Sequence, residues 1–104
     1  MAKLDTAKVQ KTFAELTKAI NQQGVIDAIE RAGKNHKLLL QAKKDPKKFL
    51  VGEGIRLPPR AEVTISTERI SVGVFRFCIT ICRRVGPVIV CVRICKRIIV
   101  IVLG

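Results

Sequence analysis

Apolar residues recur every three or four positions in the first part of the chain, which is the spacing of an amphipathic helix. The first such stretch ends before Gly24, which is predicted to stop the helix, and Asp5 or Thr6 is predicted as its N-cap. The residues of its apolar stripe are Val9, Phe13, Leu16 and Ile20. The first predicted element is therefore a helix with one side to bury.

Further helices are predicted before the pattern changes. One ends near Gly33, and an apolar cluster at 38–40 then leads to Asp45-Pro46, an N-cap followed by proline at the first helical position. That proline starts a short helix, which Gly52 and Gly54 close. The part of the chain up to residue 57 is therefore predicted to be helical.

The period of the pattern then changes from helix to strand. Prolines after Leu57 block a helix, and polar and apolar residues alternate from Glu62 to Thr67, which predicts a short strand. The segment 74–104 predicts two longer strands that fold back at Gly86-Pro87. The predicted fold class is small α+β, with helices first and an antiparallel β-hairpin at the end.

Alternation along the hairpin gives each of its faces a different chemistry. One face combines cysteines with arginines. Its residues are Arg76, Cys78, Thr80, Cys82 and Arg84, opposite Ile89, Cys91, Arg93, Cys95 and Arg97. The other face is largely aromatic and aliphatic. Its residues are Phe75, Phe77, Ile79 and Ile81, opposite Val90, Val92, Ile94, Lys96 and Ile98, with Arg83 near the turn.

The four cysteines form two Cys-x-x-x-Cys pairs placed symmetrically about the Gly-Pro turn, so that Cys78 faces Cys95 and Cys82 faces Cys91. Cysteines four residues apart in a strand are separated by roughly 13 Å, whereas the Cα atoms of a disulfide lie about 4.4–6.8 Å apart. If the hairpin forms, only the two-rung ladder satisfies this limit. Such staples would replace a core that an isolated hairpin cannot build.

The sequence leaves other fates of the cysteines open. A structural Cys₄ zinc site is permitted by the spacing, and the thiols could also stay reduced. Thiazoles, thioether links or epimerisation are further alternatives, whereas lanthionines have only Thr80 as a partner in the segment. No Ser/His/acid or paired-carboxylate arrangement supports catalysis. We predict neither enzyme activity nor a metal or cofactor.

Charge is divided unevenly along the chain. The chain as a whole has a net charge of +12. Residues 74–104 contain six basic residues and no acid, because all eight acids lie before Val74. The apolar stretches of the hairpin are too interrupted for a membrane-spanning helix, which needs about 20 residues. A stapled sheet with one cationic and one apolar face suits the surface of an anionic membrane.

The hairpin resembles the stapled antimicrobial hairpins tachyplesin and protegrin. The shared features are the Phe-Arg-Phe-Cys opening that ends at Cys78, the Cys-x-x-x-Cys spacing, and Arg83-Arg84 beside the turn. The Val-Gly-Pro-Val turn and the long aliphatic tail depart from those peptides. The resemblance implies a membrane-active peptide.

The preceding segment, roughly residues 25–70, resembles the nitrile hydratase-related leader peptide family. The marks that carry the resemblance are Asp45-Pro46, Phe49-Leu50, Gly54-Ile55, Leu57-Pro58 and Glu62-Val63. In that family the leader docks enzymes that modify a C-terminal core peptide, and it is later removed. The Cys-Ser-Cys metal motif of nitrile hydratase is absent here, so enzyme activity does not transfer.

These observations predict a precursor of an exported antimicrobial hairpin, with a helical leader at 1–57, a linker with a short strand at 58–73 and a cationic core at 74–104. Cleavage is expected between Gly73 and Val74. Residues 1–24 do not form a secretory signal, so synthesis in the cytoplasm is expected. The mature C-terminal peptide is then expected to be secreted. The predicted partners are anionic lipids and processing enzymes, with self-association through the hairpin edges as a further one.

The residues predicted to enter the membrane are Phe75, Phe77, Ile79, Ile81, Val90, Val92 and Ile94. Those predicted to bind headgroups are Arg76, Arg83, Arg84, Arg93, Lys96 and Arg97. The alternatives are a basic nucleic-acid-binding protein, which the absence of Trp and Tyr disfavours, and a self-assembling structural protein.

Overall fold

Residues 5–99 are described by the computed structural model. Four helices come first and a three-stranded antiparallel sheet follows, which confirms the predicted α+β class. The helices are α1 (Thr6–Ile20), α2 (Gln23–Lys34), α3 (His36–Lys44) and α4 (Pro46–Gly52). The strands are β1 (Glu62–Ser71), β2 (Val74–Val85) and β3 (Val88–Ile99).

Side-chain caps define the starts of three helices. Asp5, Asn35 and Asp45 precede α1, α3 and α4, and each accepts a hydrogen bond from the backbone N–H three residues ahead. These bonds satisfy donors that the first turn of a helix leaves unpaired. Pro46 occupies the first turn of α4 as predicted, while the apolar cluster at 38–40 lies in α3, a helix of its own.

The prediction that Gly24 stops the first helix is wrong. α1 ends at Ile20 with Asn21 as its C-cap, and Gly24 lies in the first turn of α2. The side chain of Gln22 holds this junction: its amide donates to the carbonyls of Ala19 and Arg56, and its oxygen accepts from the N–H of Arg56. A tertiary contact therefore sets the break between the helices.

The sheet has the order β1-β2-β3, so β2 is central, and within residues 5–99 the outer edges of β1 and β3 pair with no further strand. The hairpin has the predicted register, with Cys78 opposite Cys95 and Cys82 opposite Cys91. The strand predicted at Glu62–Thr67 is longer than expected, because β1 continues to Ser71 and pairs with β2. The hairpin thus gains a third strand from the segment predicted as a linker.

The helices cover one face of the sheet and share a single core with it. Phe77, Ile79 and Ile81 of β2 are at most 1% exposed, and they join Leu16 of α1 and Ile29 of α2 in this core. Phe13, expected on the same stripe as Leu16, is 53% exposed and lies outside this core. The apolar face of the hairpin is therefore buried against helices of the same chain.

Candidate functional site: the two faces of the stapled hairpin

Two disulfides link β2 and β3. Cys78 bonds to Cys95 and Cys82 to Cys91, with Cα–Cα distances of 4.1 Å in both pairs. The ladder predicted from the sequence is confirmed. Since all four thiols are consumed, neither reduced cysteines nor a Cys₄ zinc site describes this structure. Within residues 5–99, no group of three or more His, Cys, Asp or Glu side chains could hold a metal ion.

The turn between these strands is the two-residue loop Gly86-Pro87, closed by the pair Val85 and Val88. Gly86 has φ +57°, a conformation that glycine adopts at no steric cost. A glycine at the first central position followed by proline, whose φ is fixed near −65°, fits the type II′ turn that matches the twist of a hairpin. The turn therefore fixes the register that brings the cysteines together.

The disulfides lie on the face of the sheet opposite the helices, where Cys91 and Cys95 of the edge strand are exposed and Cys78 of the central strand is only 1% exposed. Thr80 and Arg93 are paired between the two rungs, and Arg76 and Arg97 are paired beyond the outer one. β1 adds a polar row to the same face. Its residues are Glu62, Thr64, Ser66 and Glu68.

The exposed cations of this face lie mainly on the hairpin. Arg84, Arg93 and Arg97 are exposed, and within residues 5–99 no carboxylate lies within 4.0 Å of them. Arg76 is half-buried, and its guanidinium lies 3.7 Å from the carboxylate of Glu68. Three of the six predicted headgroup-binding residues are thus available in the full chain.

The residues predicted to enter a membrane lie on the opposite, covered face. Phe77, Ile79 and Ile81 are buried in the core. Val90, Val92 and Ile94 are half-buried and packed against this core, and Phe75 is half-buried. The structure brings these seven residues together on one surface, but in the full chain that surface contacts helices.

Two predicted headgroup-binding residues also face the helices. Arg83 donates a hydrogen bond to the carboxylate of Glu15 in α1 at 2.9 Å, and the ammonium of Lys96 donates one to the carboxylate of Glu30 in α2. The hydrogen bond from Lys96, and next the charge of Lys96, hold the pKa of Glu30 below its ordinary value of 4.5. Partial burial opposes this shift of the Glu30 pKa, and the charge of Lys34 reinforces it. The helices therefore supply both apolar surface and counter-charge.

Sequence reasoning missed Glu15 and Glu30 as partners of the hairpin. The available signal was that Arg83 and Lys96 interrupt the apolar alternation of β2 and β3, and a base on a buried face requires an acid from whatever covers it. The sequence pattern predicts Gly33 only as a helix end. A Cβ atom built on Gly33 would lie 2.2 Å from the Cδ1 atom of Ile98, so this glycine lets α2 approach β3 closely.

The predicted cleavage site lies in the turn between β1 and β2. Gly73 has φ +75°, and the preceding Val72 is 86% exposed. The ladder of the two strands begins on either side of this turn, at the pair Ser71 and Val74. A protease could reach this loop without entering the core.

Comparison with known proteins returned no match to any family model, curated protein or solved structure. The resemblances to the nitrile hydratase-related leaders and to the stapled antimicrobial hairpins remain predictions from sequence motifs. In the part of the chain that the structure describes, no helix has the length and apolarity to cross a membrane.

Proposed function

We propose that the chain is the precursor of a cationic β-hairpin peptide that binds and permeabilises anionic membranes, and that the helical segment guides processing before it is removed. The observation that carries the proposal is the stapled hairpin itself. Two disulfides hold β2 and β3 together, and this two-stranded unit has one arginine-bearing face and one apolar face. An amphipathic surface of this kind binds at the boundary between headgroups and acyl chains.

Attraction to the membrane would come first from charge. A basic residue near an anionic surface contributes about 1 kcal/mol, so Arg84, Arg93 and Arg97 would contribute about 3 kcal/mol in the full chain. Release of Arg76, Arg83 and Lys96 from their acidic partners would roughly double this attraction. The apolar residues would then enter, each gaining about 1.5–3 kcal/mol if its side chain is fully buried.

Because the helices cover the apolar face, the active form in this proposal is the separated hairpin and not the full chain. Cleavage between Gly73 and Val74 would give a segment that keeps both disulfides. The disulfides maintain its shape after the helices leave, since a two-stranded hairpin without further support is marginally stable in water.

The test is dye release from vesicles by the oxidised peptide 74–104. It should empty vesicles rich in phosphatidylglycerol and leave phosphatidylcholine vesicles intact, and the oxidised full chain should be at least tenfold less active on the first kind. Ile79→Asn should abolish leakage because it puts an amide on the apolar face, whereas Thr80→Asn on the opposite face should not. Equal leakage from both vesicle types, or none from either, would refute the proposal.

The same exposed arginines favour one alternative, binding of nucleic acid by the intact chain. Arg84, Arg93 and Arg97 could contact phosphates along the open face of the sheet, and affinity would then fall steeply with salt. Strongly salt-dependent binding of the full chain to DNA or RNA, combined with a peptide that leaves vesicles intact, would select this function instead.

Self-assembly is the remaining alternative, and the outer edge of β3, which pairs with no strand within residues 5–99, supports it. An unpaired edge strand is a template for pairing between chains, although Arg93 and Arg97 on β3 oppose the approach of a second copy. A sedimentation coefficient of the oxidised full chain that rises with concentration would favour this alternative.

A further inference from the structure

We infer that residues 5–71 form a binding surface for the oxidised hairpin as a separate chain, so that cutting between Gly73 and Val74 leaves the two pieces bound to each other. The biological meaning of this complex rests on the proposed function, because it concerns how the hairpin is released. The binding itself is a property of the fold, and it can be measured whether or not the hairpin acts on membranes.

The cut would remove no contact that holds the hairpin in place. The turn at 72–73 lies at the surface, with Val72 86% exposed. Pairing of β1 with β2 extends from Glu62 opposite Cys82 to Ser71 opposite Val74, and all of it lies outside the turn. Cutting therefore converts an intramolecular strand pair into an intermolecular one with the same backbone hydrogen bonds.

The interface left behind resembles the interior of a domain. Phe77, Ile79 and Ile81 would remain buried, because the side chains that cover them belong to the helices and to β1. On the other side of the cut, Ile65 of β1 is opposite Ile79 and is itself 7% exposed. Continuous apolar packing combined with strand addition is a recognised way to bind an extended segment.

Charge complementarity fixes the orientation of the bound hairpin. Arg83 lies near the Gly86-Pro87 turn and pairs with Glu15, while Lys96 lies near the opposite end and pairs with Glu30. Two ion pairs at opposite ends of the contact, from two different helices, specify one register of the hairpin on the helical layer. A hairpin bound in the reverse orientation would leave the carboxylates of Glu15 and Glu30 without their basic partners.

The consequence is that cleavage alone would not unmask the apolar face. The processed helical segment would act as a carrier of the hairpin in trans, and release would require a later event that separates the two. Arg84, Arg93 and Arg97 would stay exposed in the complex and could still direct it towards an anionic surface.

The test uses the full chain with a protease recognition sequence inserted between Val72 and Gly73, cut after oxidation. Native mass spectrometry and size-exclusion chromatography at micromolar concentration should show the two pieces as one 1:1 complex. Separation of the pieces at that concentration in non-denaturing buffer would overturn the inference.

Two glycine substitutions test whether the binding surface is the one described. Gly33→Ala should raise the dissociation constant of the cut complex at least tenfold, because the added Cβ would lie 2.2 Å from Cδ1 and 2.8 Å from Cγ2 of Ile98. Gly52→Ala is the matched control, since a Cβ there meets nothing within 4 Å. Equal affinities of the two variants would show that the hairpin is held elsewhere.

A second variant covers the case in which Gly33→Ala fails to fold before it is cut. Glu15→Gln with Glu30→Gln removes both ion pairs without adding volume, and it should also weaken the cut complex. An unchanged dissociation constant in this variant would overturn the proposed orientation. The vesicle assay tests the membrane function separately. If the cut pieces stay bound but the hairpin releases no dye, the membrane function is refuted and the complex is supported. If the hairpin releases dye but does not bind the helical piece, the complex is refuted and the membrane function is supported.

Discussion

The two disulfides should contribute unequally to the stability of the full chain, and the difference can be worked out from their positions. The rungs are nested, with sequence separations of 17 for Cys78–Cys95 and 9 for Cys82–Cys91. With the inner rung kept, the outer one closes only the two arms between the rungs, which span eight residue steps, the difference between 17 and 9. Each rung therefore closes a loop of similar size when the other is present.

Loops of eight or nine residues correspond to about 2.5 kcal/mol of chain entropy each. The outer rung has a further contribution, because Cys78 is 1% exposed and deleting its sulfur leaves a gap worth on the order of 1 kcal/mol. We expect Cys78→Ala with Cys95→Ala to cost about 3.5 kcal/mol and Cys82→Ala with Cys91→Ala about 2.5 kcal/mol.

Removing both rungs also opens the larger loop and should cost about 5.5 kcal/mol from chain entropy, before the loss of packing at Cys78. Domains are stable by about 5–15 kcal/mol, so each paired variant should stay folded while the variant lacking both approaches its limit. The assay is urea unfolding in non-reducing buffer, followed by circular dichroism. An inner-rung variant less stable than the outer-rung variant, or a cost below about 1 kcal/mol for either rung, would refute this reasoning.

Two further predictions concern contacts made by the helices. Glu30→Gln should lower the free energy of unfolding near neutral pH but not at about pH 2. The reason is that a folded-state pKa below 4.5 stabilises the fold above that pH, and this stabilisation is lost as the pH falls through the lowered pKa. Urea unfolding at both pH values measures the difference, and an equal loss at both would contradict the prediction. Gln22→Ala should cost about 1–2 kcal/mol, since it removes the three hydrogen bonds that the Gln22 side chain makes to Ala19 and Arg56. Gln10→Ala on the exposed side of α1 should unfold at the same urea concentration as the parent, and equal midpoints for the two variants would contradict this.

The features that the sequence predicted correctly are those that several local signals determined together. Cysteine symmetry, alternation and the Gly86-Pro87 turn all specify the same register. The predicted register therefore does not depend on any one of these three signals. Asp45 followed by Pro46 likewise combines two independent helix-start signals. The end of β1 was missed because alternation fades at Glu68 and Arg69, and the strand is maintained there by pairing with β2 and by the contact between Glu68 and Arg76.

What covers the apolar face of the hairpin could not be predicted from its own pattern. Alternation shows that Phe77, Ile79 and Ile81 face an apolar environment, but a lipid bilayer and a layer of helices satisfy it equally. The choice depends on how α1 and α2 pack, and this requires distant contacts such as Gly33 against Ile98. The sequence pattern predicts the apolar stripes of the helices and the apolar face of the hairpin separately, but it carries no signal that the two pack against each other.

The helical layer presents to the hairpin the same chemistry that an anionic membrane would. Its centre is apolar, and its carboxylates at Glu15 and Glu30 meet the two bases that interrupt the apolar face, Arg83 and Lys96. One surface of the hairpin is therefore complementary to both environments, and substitutions within it alter both affinities together. Substitutions on the helices do not have this ambiguity, because Glu15, Glu30 and Gly33 are absent from the released peptide. Only variants of the helical side can separate how tightly the hairpin is held from how strongly it acts once it is free.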